Sequence, residues 1–174
     1  MSEIADLLER FRRGAELVAV AATGAAGAEL DWAPGPDKWS VRQILCHLAD
    51  SELVGADRFR RIIAEENPVI VAYDQDAWAR NLDYTRRKVS VALETFRRIR
   101  GANYELLKDT PEPAYERAGT HSQRGRLTLL QMLEIYARHA ESHAAQVREV
   151  RQQYKQWRAA HDPGKLESSA SQQS

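Results

Sequence analysis

The chain has 174 residues, of which 43% are hydrophobic and 29% charged; this composition fits one soluble globular domain large enough to bury its own core. Lys plus Arg number 25 and Asp plus Glu number 25, so the formal net charge is zero, which argues against the basic footprint of a nucleic-acid binder. The single cysteine, Cys46, excludes an intrachain disulfide framework and suits a reducing compartment. The start, MSEIADLLERFRR, carries Glu3 and a charged amphipathic pattern instead of the apolar core of a signal peptide. No run approaches the roughly 18 apolar residues of a membrane span. A cytoplasmic location is expected, without nucleic-acid or membrane partners.

Four long helices are expected. In the first, about Glu3 to Ala22, residues Ile4, Leu7, Leu8, Phe11, Ala15 and Val18 form one apolar stripe at spacings of three and four. Leu30 to Trp39 holds two prolines and a glycine and reads as a connection. The second helix starts at Ser40, which with Gln43 fits a capping box, and ends before Asn67-Pro68. Its inner side carries Ile44, His47, Leu48, Ser51, Val54, Gly55, Phe59 and Ile62. In Pro68 to Asp76, Val69, Ile70 and Val71 have strand character, but a lone strand has no partner, so a buried loop is expected.

The third helix runs from about Ala77 or Leu82 through Leu107, with Val89, Leu93, Phe96, Ile99, Leu106 and Leu107 inward and a break or kink expected at Gly101. Thr110 to Gly125 reads as a long loop containing His121. The fourth helix begins near Thr128, where Thr128 and Gln131 repeat the capping box, and extends to about Trp157. Met132, Tyr136, His139, His143, Val147, Val150 and Tyr154 should face inward. The expected organisation is one domain, 1–160, with a disordered Ser- and Gln-rich tail, 161–174. Four amphipathic helices without a credible sheet predict an all-α four-helix bundle.

His139 and His143 stand four residues apart, about 6 Å along the helix axis and on one face. Two imidazoles so placed can reach one cation, and His47 on the second helix can supply a third. Three inward histidines cost stability if unpaired. A divalent ion would explain all three, and three histidines plus water form the ligand set of an open site. Hydrogen-bonded core histidines are the alternative. The stretch reads HAESH, not the zincin order: Glu141 falls about 200° around the helix from His139 and should face away.

Two stretches, KWSVRQILCHLADSE (38–52) and GTHSQRGRLTLLQMLEIYARHAESHAAQVREV (119–150), resemble the DinB/YfiT-like superfamily. The resemblance spans about Leu7 to Val150. It implies a four-helix bundle, commonly a homodimer, with a divalent metal on His47, His139 and His143; Zn2+ or Ni2+ is expected foremost, although imidazole ligands suit Cu and Fe as well. It also implies a thiol-dependent S-transferase that uses a low-molecular-weight thiol on a small-molecule substrate. The alternatives are a metal-dependent hydrolase, or a non-catalytic stress-related dimer that binds a metal or small ligand.

Other residues admit two readings each. Asp50, three after His47, could orient an imidazole, and more often such a residue is an interhelical or solvent-side charge. His121 could act as an acid or base at a pocket mouth, against an ordinary surface histidine. Tyr136 could border the site, against a core aromatic with a bonded hydroxyl. Cys46, about 100° around the helix from His47, reads as a small buried residue. Trp39 reads as packing at the helix start, and Arg86-Arg87-Lys88 and Arg97-Arg98 as solvated faces.

Overall fold

A computed structural model describes residues 3–161; the expected C-terminal tail, from Asp162 onward, lies outside the described residues. Helices α1 (Glu3–Ala22), α2 (Ala28–Asp31) and α3 (Val41–Ala64) come first, followed by strand β1 (Val69–Ile70). Helices α4 (Gln75–Asn81) and α5 (Val89–Lys108) come next, then a 3-10 turn (Glu112–Glu116). Strands β2 (Ala118–His121) and β3 (Gly125–Thr128) lead into helix α6 (Leu129–Ala160). The four long helices form the bundle, in which α1 and α3 each pack against both α5 and α6.

Both capping boxes form. Ser40 and Gln43 exchange side-chain bonds with each other's amides at the start of α3. Thr128 and Gln131 do the same at α6. Each box satisfies orphan donors of the first turn, and so fixes where the helices carrying the three histidines begin.

Two apolar clusters fill the bundle. One gathers Val18, Ile44, Leu48, Phe96 and Val147. The other gathers Phe11, Phe59, Leu107, Met132 and Leu133. Between them on α3 and α5 lies a buried polar group, Glu52, Arg100 and Asn103. The Arg100 guanidinium donates to Glu52 from Nη2 at 2.7 Å, to the Phe11 carbonyl at 3.0 Å and to the Tyr136 carbonyl at 3.1 Å. Asn103 Nδ2 donates to the other Glu52 oxygen at 3.2 Å. One cation thereby ties all four long helices. It also lies over the Phe11 ring at 4.2 Å and the Phe96 ring at 4.7 Å. Gly14 makes room for it, since a Cβ there would meet Arg100 Nη1 at 2.4 Å.

The structure departs furthest from the expected loops at Val69–Ile70 and 118–128. Val69–Ile70 has a partner: it pairs in parallel with β2, which pairs antiparallel with β3. The partners come from 118–128, most of which reads as loop because it holds two glycines and isolated β-branched residues. Gly119 admits the neighbouring chain, since a Cβ would stand 2.9 Å from the Pro68 carbonyl. Gly125, at φ 71, closes the hairpin.

The third helix is in fact two, separated by Asp83 at φ 49. No break occurs at Gly101: α5 is continuous from Val89 to Lys108, and the glycine is exposed within it. Helix α6 continues past Trp157 to Ala160.

Candidate metal centre

His47 sits in the second turn of α3, fully buried, and His139 and His143 sit half-buried on α6. Their Nε2 atoms converge. His47 Nε2 lies 3.0 Å from His139 Nε2, which lies 3.1 Å from His143 Nε2. Among the described residues, this trio is the cluster of His, Cys or carboxylate groups able to hold a metal ion, with one ligand atom from each all within 4.8 Å. The spacing of the α6 pair follows from the helix repeat, and α3 packing against α6 brings in the third imidazole.

The donor set fits a cation better than a hydrogen-bonded core. Gln146 Oε1 lies 2.7 Å from His143 Nδ1. An amide oxygen only accepts, so His143 carries its proton on Nδ1 and turns the Nε2 lone pair toward the cluster. His139 Nε2 can then direct at most one N–H, while two nitrogens face it. One close nitrogen pair is left without a proton between its members. His47 Nδ1 is buried and has no partner. Neutral imidazoles with lone pairs aimed at one point are what a divalent ion requires.

Burial keeps them neutral. It holds His139 down to about 2, with the neighbouring histidines adding to the effect, and His47 down to about 3. His143 is also lowered by burial, against an opposing pull from Gln146. Trp39 covers the outer side of His47, with ring centroids 4.9 Å apart.

A cavity of about 140 Å³ reaches His139 from the hairpin side. Its lining includes His121, Tyr136, Ser51, Tyr73 and Arg58. His121 is the last residue of β2, and its pairing with Ile70 and Gly125 holds it there. Tyr136 stacks against Gly55, where a Cβ would meet its ring at 2.6 Å. Its hydroxyl accepts from Arg58 Nη1 at 3.3 Å.

Asp50 is buried, and its Oδ2 accepts from Tyr84 Oη at 2.8 Å and Arg87 at 2.7 Å. It ties α3 to the segment before α5. Arg87 therefore departs from the solvated face expected of it, whereas Arg97 and Arg98 pair with Glu94 on an exposed helix face. Glu141 turns away from the histidines and binds Arg10 of α1 through two bonds of 2.9 and 2.8 Å. Cys46 is buried, with its Sγ 3.9 Å from the Tyr84 carbonyl, and burial pushes its thiol up.

Sequence reasoning assigned no role to Arg58, Tyr73 or Gln146. Gln146 had a signal, since it lies three residues after His143 on the same face. Arg58 and Tyr73 had none, because the sheet and α4 bring them together.

Known proteins place this architecture. The profile of the DinB superfamily matches residues 10–147. A provisionally named metal-dependent hydrolase of Oceanobacillus iheyensis, OB0782, is 33% identical over 119 residues, covering 68% of this chain and 69% of that protein. YfiT of Bacillus subtilis, named in the same way, is 31% identical over 113 residues, 64% of each chain. The solved structure of YfiT, described as that of a probable metal-dependent hydrolase with an unusual four-helix bundle topology, superposes with a TM-score of 0.83. That superposition covers 89% of this chain and 90% of YfiT at 25% identity. The chain belongs to the DinB superfamily.

Proposed function

We propose that this protein is a metal-dependent hydrolase of a small molecule, with His47, His139 and His143 holding one divalent ion. The observation that carries this reading is the convergence of three neutral Nε2 atoms beside a cavity that reaches His139. The names of the relatives favour hydrolysis over the S-transfer that the family resemblance put first. Zinc and nickel both suit three imidazoles. A divalent ion held there would supply Lewis acidity, making water a better nucleophile near neutral pH and polarising a substrate oxygen.

The protein's own residues supply the rest. Gln146 fixes the tautomer of His143. Trp39 and the buried setting of His47 keep solvent from that side. Substrate enters from the cavity, where His121 is the candidate to pass a proton to a leaving group and Tyr136 borders the site. Asp50 is engaged by Tyr84 and Arg87 and serves the fold. Homodimer formation is also carried forward as a proposal, which sedimentation of the full chain tests. No helix among the described residues is long and apolar enough to cross a membrane.

The test is elemental analysis of protein purified without a histidine tag or added metal, beside His143→Ala, followed by ester and amide substrates. The expected result is about one metal per chain, lost together with turnover in the variant. Full turnover by metal-free protein would sink the proposal.

A further inference from the structure

Three buried side-chain nitrogen or oxygen atoms among the described residues lack a hydrogen-bond partner: His47 Nδ1, Arg58 Nε and Tyr73 Oη. The first belongs to the histidine cluster. The other two belong to residues that line the cavity reaching His139. Unpartnered buried donors are costly, and two on one cavity wall call for an acceptor.

Arg58 stands apart from the other part-buried arginines. Arg42 pairs with Asp31, Arg87 with Asp50, Arg100 with Glu52 and Arg151 with Glu29. No carboxylate among the described residues pairs with Arg58. Its Nη1 and Nη2 reach only the neutral Tyr136 hydroxyl and the Val71 carbonyl at 2.9 Å. The charge is left without a counter-ion at the edge of the cavity.

The remaining polar groups there donate as well. Tyr73 has Ser51 as the polar side chain beside it, but no partner in bonding geometry. Tyr136 accepts from Arg58 and keeps its own hydrogen to give. His121 Nδ1 accepts the Gln123 amide at 3.2 Å, so the neutral ring carries its proton on Nε2. Arg124 adds a second cation, and neither Asp nor Glu is among the lining residues.

We propose that this cavity is a carboxylate subsite, in which Arg58 binds a substrate's carboxylate group with the Tyr73 and Tyr136 hydroxyls. Arg124 is exposed and its charge is screened by solvent, so the one half-buried guanidinium, Arg58, balances one negative charge, which suits a carboxylate better than a phosphate dianion. Joined to the hydrolase reading, on which its substrate class rests, the subsite selects esters or amides that carry a free acid. The acid is held at Arg58 while the scissile carbonyl lies toward His139.

The test is calorimetric titration of the metal-loaded full chain with butyrate, with butyramide and with inorganic phosphate. Butyrate should bind at least tenfold more tightly than either of the others. Arg58→Met should weaken butyrate tenfold or more, with metal content and melting curve unchanged. Tyr73→Phe, which keeps the ring packed against Trp78 at 4.5 Å, should weaken it severalfold and serves if Arg58→Met does not fold. No butyrate binding, equal binding of butyramide, or tighter binding of phosphate overturns the proposal. Butyrate affinity lost in His143→Ala but unchanged in Arg58→Met also overturns it, because the acid would then sit on the ion. Arg58-dependent butyrate binding without turnover of any ester keeps the subsite and removes the hydrolase reading. Ester turnover that ignores both substrate charge and Arg58 does the reverse.

Discussion

Two buried polar groups share helix α3, His47 and Glu52, and both are at most 1% exposed. Around Glu52, every hydrogen-bonding side-chain atom is answered. Arg100 takes one carboxylate oxygen, Asn103 the other, and Arg60 donates to Asn103 Oδ1 at 2.9 Å. Around His47, three nitrogens crowd together, protons cannot satisfy every contact, and Nδ1 is orphaned. Burial alone therefore does not separate scaffold from site. Completeness of pairing does: a buried network closed on itself holds the helices, and one left open awaits a ligand.

The comparison can be broken by acid. In metal-free protein the three site histidines are lowered below the ordinary value of about 6.5 that they recover on unfolding. Between those values the unfolded chain binds protons that the folded chain refuses, so stability rises with pH and falls as pH drops below about 6.5. Each such histidine contributes a slope of up to about 1.4 kcal/mol per pH unit, continuing toward about 3 for His47. Urea unfolding of chelated protein from pH 7 to pH 4 measures this. A flat profile would mean that the cluster is already protonated in the fold, and the contrast with Glu52 would be lost.

The closed network should fail differently. Arg100→Ala leaves the Glu52 charge buried without its cation, at a cost of about 3–5 kcal/mol in urea unfolding. The folded fraction should still bind about one metal per chain, because Arg100 is not among the clustered ligands. Loss of metal from a folded Arg100→Ala protein would show that the two regions act as one.

The open network is sharpened by Gln146→Ala, which frees the Nδ1 proton of His143 from its acceptor. Metal affinity should fall by about 10–100-fold, with little change in apo stability. Competition with a chromogenic chelator reads it.

How much of this contrast could be read from the chain alone depends on range. The histidine cluster was legible because two of its members are helix neighbours and the third lies on an apolar stripe between Ile44 and Leu48. The long helices were legible through their periodicity and two capping boxes. Arg100 was not: it occupies an inward position of α5, but an isolated arginine reads as solvated until Glu52 is seen opposite it. The sheet stayed hidden because Val69–Ile70 finds its partner about 50 residues away, in a segment whose glycines suggest a loop. Arg58 and Tyr73 meet through that same long-range pairing, so the cavity is a property of the tertiary structure alone.

Asp50 gives the finest test, because it lies between the two regions, three residues after His47 and two before Glu52. Its spacing from His47 suits a carboxylate that orients an imidazole. Its bonds go instead to Tyr84 and Arg87, and Tyr84 is fully buried while Arg87 is about a third exposed. Asp50→Asn keeps an acceptor for the phenol but removes the charge facing Arg87. Solvent already screens part of that pair, so the stability loss should be about 1 kcal/mol. Metal affinity should stay within about twofold, because no bond joins Asp50 to a histidine of the cluster. If the chelator competition instead showed a loss as large as that of Gln146→Ala, Asp50 would act on His47 through the helix. Completeness of pairing would then no longer distinguish scaffold from site.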